Sequence, residues 1–239
     1  MDYEQCLEVA KEAALKAGNF LLSQKDTDMV VENDDDRDIK LELDRLTEVL
    51  IRDSLKKTDI EVFGEEIEST INSELFWVVD PIDGTANYFR GLDQCCISIA
   101  LMKGKDCLLG VIYNFNTDEM YYAQDGKGAF LNNKKIFVSA VKKINKASLS
   151  TGFPASESME SSLDFLRGLK QWKKIRMFGS AALSCAYIAS GKCDAYMEKG
   201  VYLWDFAAGI CLVKEAGGIV EYAELDKNRY VVKMTNGFL

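Results

Sequence analysis

Six short apolar runs follow one another between residues 60 and 131: I-E-V-F, L-F-W-V-V, C-I-S-I-A-L-M, L-L-G-V-I-Y-N, E-M-Y-Y-A and G-A-F-L. Turn signals such as K-G-K-D, N-T-D and D-G-K-G separate them. Short runs with tight turns leave no room for crossover helices, so this stretch is restricted to a mostly antiparallel meander. Two helical patterns precede it. Residues 3–24 place Leu7, Ala10, Ala14, Ala17 and Leu21 on one stripe, and residues 41–57 carry Leu43, Leu46, Val49 and Leu50. The acidic segment 26–38 between them, D-T-D-M-V-V-E-N-D-D-D-R-D, reads as a solvated mobile loop.

After about residue 145 helix and strand alternate. S-L-S-T-G-F-P is strand-like, 160–171 and 180–190 read as helices, D-A-Y-M-E as a strand, 205–216 as a helix, and G-I-V-E-Y as a strand. Helices, then a sheet, then mixed elements predict a layered α/β arrangement of the α+β type. With 239 residues and 48% hydrophobic content, one domain over 1–239 is expected, with lobes of about 1–143 and 144–239.

Composition narrows the chemistry. The chain contains no histidine, which excludes a Ser-His-Asp triad, a Cys-His pair and histidine-ligated zinc. Acid–base work falls to carboxylates, hydroxyls, Lys, Cys or metal-bound water. A formal charge of −9 argues against nucleic acid as the main partner. An anionic substrate would need cations or backbone N–H groups in a chain so acidic. The seven cysteines are scattered without a C-x-x-C, which reads as reduced core thiols. No signal-peptide pattern opens the chain and no apolar run reaches membrane-span length, so a cytoplasmic protein without membrane contact is expected.

Three acidic clusters end apolar runs: F-G-E-E at 63–66, W-V-V-D-P-I-D-G-T at 77–85 and L-W-D-F-A-A-G at 203–209. In the second, Asp80 is expected where the buried strand F-W-V-V ends, because Pro81 has no N–H for the ladder. Asp80 and Asp83 then share a tight turn, Gly84 allows close backbone approach, and Thr85 opens a helix whose first N–H groups are free. Two carboxylates so placed repel unless a cation lies between them, and hard oxygen ligands of this kind suit Mg²⁺. Taken singly, each cluster has a plain alternative. D-P-I-D-G-T also fits an ordinary Asp-rich turn. F-G-E-E also fits a strand end with solvated glutamates. Asp205 reads as the N-cap of F-A-A-G-I-C-L-V, which is compatible with metal binding.

Together, in this order and spacing, the three clusters resemble the signature motifs of the inositol monophosphatase family. R-D-I-K-L-E-L-D at 37–44 resembles its early D-x-V-T-x-x-D segment, with Leu41 at the usual Thr. D-G-K-G-A-F-L-N-N-K-K-I-F-V-S at 125–139 resembles its central strand pair, and R-M-F-G-S-A-A-L at 176–183 its substrate-side helix start. Tyr88 stands at the family's usual Phe, and the acidic loop lacks a lysine often found there.

The resemblance implies a layered αβαβα fold with a smaller second lobe, and Mg²⁺-dependent, lithium-sensitive hydrolysis of a phosphate monoester. Inositol 1-phosphate is the first expectation. Fructose 1,6-bisphosphate, histidinol phosphate and NADP, or a role as a regulatory protein-binding factor, are the alternatives. It implies metal ligation by Glu65, Asp80, Asp83, Asp205 and the Ile82 carbonyl for two Mg²⁺ ions, with a third site left open. Asp44, Thr85 and Glu65 take catalytic roles. Asp83, Gly84, Thr85, Gly179, Ser180, Ala181, Glu198 and Asp205 face the substrate. A homodimer is implied as well.

Overall fold

The computed structural model describes residues 2–25, 31–35, 38–153, 158–226 and 228–239, with 31–35, 38–41, 159 and 161 given as backbone only. The first helix, α1 (Tyr3–Gln24), starts at Asp2, whose carboxylate accepts the N–H groups of Glu4 at 3.0 Å and Gln5 at 3.2 Å. Its buried face is a stripe of small residues with Leu7 and Leu21 at either end, so it lies close on the sheet beneath.

The acidic segment differs from the loop expected. Residues 26–30, 36 and 37 fall outside the described residues. Val31–Asp35 (β1) and Asp38–Leu41 (β2) form an antiparallel hairpin, pairing Val31 with Leu41 and Asp35 with Asp38.

Helix α2 (Glu42–Leu55) turns a different face inward from the one its leucines suggest. Leu46 is 45% exposed and Val49 is 41% exposed, while Asp44, Thr47, Glu48, Ile51 and Leu55 are buried. Two carboxylates on the inner face are tolerated because each has partners. Thr85 serves Asp44, and Arg52 and the Glu66 amide serve Glu48.

Seven strands then form one sheet in sequence order: β3 (Glu61–Gly64), β4 (Leu75–Asp83), β5 (Cys96–Lys103), β6 (Asp106–Asn114), β7 (Glu119–Gln124), β8 (Gly128–Leu131) and β9 (Lys134–Ile136). Only the β3–β4 pair is parallel. A short helix, α3 (Thr85–Phe89), follows β4. Strand β4 does not stop at Asp80. It continues to Asp83 across a bulge, where the register jumps from Asp80 opposite Ser98 to Asp83 opposite Cys96. Pro81, which cannot donate to the ladder, sits inside the bulge and is accommodated there. The bulge redirects the carboxylates on either side of it.

The second sheet runs in the order β11-β10-β12-β14-β13. Its strands are β10 (Ser148–Thr151), β11 (Lys174–Arg176), β12 (Ala195–Tyr202), β13 (Ile219–Asp226) and β14 (Arg229–Thr235). Helices α4 (Met159–Leu169), α5 (Ala181–Ala189) and α6 (Leu203–Glu215) intervene. Helix α6 begins two residues earlier than expected. The strands β11 and β14 have no counterpart in the periodicity reading, because alternation in K-I-R is too short and that in R-Y-V-V-K-M-T is broken.

Alternate side chains of the first sheet feed two cores. Trp77, Val79, Ile97, Ile99 and Val111 meet α1 and α2. Phe76, Val78, Ala100, Met102 and Ile112 meet α5 and α6, which share that core with Tyr196, Val232 and Met234 of the second sheet. A third core joins Leu149 and Ala195 to Leu169 and Trp172 on the outer side. The layers are thus helices, sheet, helices, sheet, helix. All seven cysteines are buried and unpaired. Among the described residues no helix is long and apolar enough to cross a membrane.

Candidate active site

The bulge of β4, the start of α3, the inner face of α2 and the start of α5 come together at one end of the first sheet. Asp80 lies wholly buried beneath them, with its Oδ1 accepting the Ile82 amide at 3.1 Å. Its carboxyl is pushed well above the usual range, first by burial and then by the negative charges of Glu65, Asp83, Asp205 and Asp44. The charges that act on Asp80 thus come from the residue after β3, from the end of β4, from α6 and from α2.

Asp83 is turned across to the second half of the chain. Its Oδ2 accepts the Ala182 amide at 2.8 Å, the Ser180 hydroxyl and, at 3.6 Å, the Cys96 thiol, while its Oδ1 accepts the Ala181 amide at 3.2 Å. These donors favour the charged form, yet burial outweighs them and the carboxyl is raised. Ser180 has two roles. It donates to Asp83 and accepts the Leu183 amide at 3.1 Å as the N-cap of α5.

Thr85 is oriented by two acceptors. Its hydroxyl lies 3.0 Å from Asp44 Oδ1 and 3.0 Å from the Ile82 carbonyl. Neither partner has a proton to give if Asp44 is charged, so the single hydroxyl proton points to them and the oxygen's lone pairs face elsewhere. Gly84 has a φ of 90°, and a Cβ there would lie 2.8 Å from the Gln94 carbonyl. No other residue serves this turn without strain.

Asp205 is not the N-cap of α6. Tyr202 holds that place, and Asp205, three residues on, accepts the Tyr202 amide at 2.8 Å through Oδ2. One oxygen is thereby held, which fixes the carboxylate at the helix entrance. Glu65 is half-buried just after Gly64. Gly179 is exposed with a φ of 69°, and Ala181 is half-buried at the first turn of α5.

Glu198 lies on β12, in the second sheet. It accepts the Tyr196 hydroxyl at 2.9 Å, and its carboxylate lies so close to Gly152 that a Cβ there would overlap it. Burial raises its pKa to about 7, against the Tyr196 and Gly152 hydrogen bonds that lower it. The fold therefore favours the protonated form. That contribution to stability is complete below the ordinary value of 4.5 and is lost as pH rises through about 7. Glu198→Gln keeps the neutral form at every pH. Its Tm in chelator is expected to gain on that of the parent across this window, and a constant difference would contradict the assignment. On the substrate-facing role that the resemblance implies for Glu198, the same variant is expected to raise KM for a polyol phosphate about tenfold with little change in kcat. A fall in kcat at unchanged KM would show a different role.

Motif reading did not single out Asn87. Its amide donates to the Gln94 carbonyl at 2.7 Å and to the Phe178 carbonyl at 2.7 Å, tying α3 to the loop before α5. The only local signal was its place in A-N-Y-F. Cys96, beneath Asp83, was also missed, and its thiol is raised by burial and by Asp83 and Asp80.

The donor set is all oxygen, acidic and clustered, which fits a hard divalent cation and not a soft one. Among the described residues no three carboxylates or thiols stand at coordination distance round one point. Asp83 and Asp205 instead accept backbone amides, the arrangement that relieves like-charge repulsion.

Residues 2–237 match the model of the inositol monophosphatase family. The chain is 40% identical over 218 residues to a Nus factor SuhB from Xylella fastidiosa, covering 87% of this chain and 78% of that protein. It is 34% identical over 222 residues to an inositol-1-monophosphatase from Rhizobium meliloti, covering 89% and 83%. Its structure superposes on the extragenic suppressor protein suhB from Bartonella henselae with a TM-score of 0.88 at 34% identity, covering 95% of this chain and 93% of that one.

Proposed function

The chain belongs to the inositol monophosphatase family, and from that premise we propose that it hydrolyses a small polyol phosphate monoester, inositol 1-phosphate first, with Mg²⁺. Membership makes it a phosphate-ester hydrolase of a metal-dependent kind. The observation that carries the finer reading is Asp80, fully buried and pressed by four carboxylates beside the backbone turn of Gly84. An acidic cluster in such a place suits a cation, and a cation is what a phosphate dianion needs in so acidic a chain.

Glu65, Asp80, Asp83, Asp205 and the Ile82 carbonyl would hold the ions. Bound there, Mg²⁺ supplies charge neutralisation for the phosphate and acidity for the attacking water. The remaining work falls to the chain. The amides of Gly84 and Thr85 seat phosphate oxygens at the start of α3. The Thr85 oxygen accepts a proton from the water as its own passes to Asp44, the water attacks phosphorus in line, and the bond from phosphorus to the polyol oxygen breaks on the opposite side, that oxygen leaving as the alcohol with a proton from solvent. Glu198 accepts hydroxyls of the polyol, and Gly179, Ser180 and Ala181 border it. No covalent enzyme intermediate is formed, so the absence of histidine from the sequence is no obstacle.

The test is phosphate release from a panel holding inositol 1-phosphate, fructose 1,6-bisphosphate, histidinol phosphate and NADP. Turnover of inositol 1-phosphate with Mg²⁺, lost in excess EDTA, is expected. Full turnover in EDTA would sink the metal mechanism, and preference for another ester would move the substrate. Lithium is expected to inhibit more than sodium at equal concentration, because Li⁺ is near Mg²⁺ in size and takes the same oxygen ligands with half the charge. Matched LiCl and NaCl series check this, and equal effects count against the site as drawn.

The relative named a Nus factor favours a second reading, that of a regulatory protein-binding factor. A variant without turnover that keeps the cell phenotype would select it. A homodimer is proposed too. Leu163, Leu166, Ile175 and Met177, all exposed in the second half of the chain, support it. Light scattering of the purified chain reports the assembly.

A further inference from the structure

The short segment that carries Glu65 is gripped from α2 by two residues outside the motifs. Glu48 is wholly buried. Its Oε1 meets Arg52 Nε at 2.7 Å and its Oε2 accepts the Glu66 amide at 2.7 Å. Arg52 spends its other two nitrogens on backbone, donating to the Val62 carbonyl at 2.9 Å and the Ile67 carbonyl at 3.2 Å. One ion pair thus holds the chain before Glu65, at Val62, and after it, at Glu66 and Ile67.

Gly64 completes the arrangement. Its α-carbon lies against the Glu48 carboxylate, and a Cβ would overlap that carboxylate. Gly64 is not among the residues of positive φ, so the glycine provides room and not conformational freedom. The carboxylate thus sits directly behind the backbone of the residue preceding Glu65.

A buried ion pair is a poor source of stability, since desolvation offsets its attraction. What this one supplies is geometry. Each Glu48 oxygen has a donor, one from Arg52 and one from the Glu66 amide, so the carboxylate is spent on holding backbone. We propose that Glu48 and Arg52 are positioning residues that hold the Gly64–Ile67 backbone so that Glu65 faces Asp80, and that they thereby set the affinity of the site for a divalent cation. The inference rests on the metal-site reading above.

The test is Mn²⁺ binding to the full chain, followed by electron paramagnetic resonance, for the parent, Glu48→Gln and Arg52→Lys. Glu48→Gln keeps the shape but matches only one of the two donors. Arg52→Lys keeps a cation opposite Glu48 without the planar fork that spans two carbonyls. Both are expected to raise the Kd for Mn²⁺ about tenfold or more. Turnover is expected to recover at saturating metal with substrate KM unchanged. Should Glu48→Gln fail to fold by circular dichroism, Arg52→Lys decides. Folded variants with lowered Tm and the parent's Kd would overturn the proposal and leave a merely structural pair. A parent chain that binds no Mn²⁺ would overturn the metal-site reading, and the bracket with it.

Discussion

Asp80→Asn is expected to cut kcat by about 1,000-fold or more, since ligation at this position is asked to supply several kcal/mol of charge stabilisation. The same substitution is expected to raise Tm in chelator. Asp80 keeps one hydrogen bond, from the Ile82 amide, and an asparagine oxygen can accept it equally well. What disappears is a negative charge in a buried place already pressed by Glu65, Asp83, Asp205 and Asp44. The sign follows from its raised carboxyl. Folding favours the neutral form, so its contribution is complete below the ordinary value of 3.8 and is lost as pH rises through the raised value. Asparagine is neutral throughout and keeps that contribution at neutral pH. The two readouts move in opposite directions, which a general loss of structure cannot imitate. Parental turnover would refute the ligand assignment, and a lower Tm in chelator would refute the account of repulsion.

Thr85→Val should lower kcat by about 100-fold with the Mn²⁺ affinity and KM close to those of the parent. Valine matches the shape of threonine but has neither the proton shared by Asp44 and the Ile82 carbonyl nor the lone pairs left over. Its cost in binding is small because the phosphate is assigned to amides. Thr85→Ser restores the hydroxyl and is expected to regain most of the lost rate. Asp44→Asn should resemble Thr85→Val, because the proton passing through Thr85 then has no carboxylate to receive it. Steady-state kinetics at saturating metal checks all three. A valine variant as fast as the parent, or a serine variant as slow as valine, would remove Thr85 from proton transfer.

Asp83 illustrates a role that combines both halves of the molecule. In the sequence it is one of two acids in a turn. In the fold it accepts from Ser180, Ala181 and Ala182, nearly a hundred positions downstream. An asparagine there would face these donors with an NH₂ group on one side. Position 83 is thus less forgiving than position 80, although the two look equivalent in D-P-I-D.

The sequence by itself determined the kinds of element and the chemistry of the clusters. Short apolar runs between Gly and Asp turns made the meander, because a side-chain period of two is a local property. D-P-I-D-G-T specified a tight acidic turn, because Pro and Gly act through their own backbone. Only the tertiary structure decided which surfaces meet. Helix α2 turns Leu46 and Val49 outward, since its opposite face carries Asp44 to Thr85 and Glu48 to the Glu66 amide. Likewise β4 runs on through Pro81, because its partner β5 absorbs the mismatch as a bulge between Asp80 and Asp83. Asp205 cedes the cap to Tyr202 because the chain enters α6 directly from β12. The first two of these choices depend on partners elsewhere in the chain and the third on the strand that feeds the helix, and periodicity within a single segment contains no information about either.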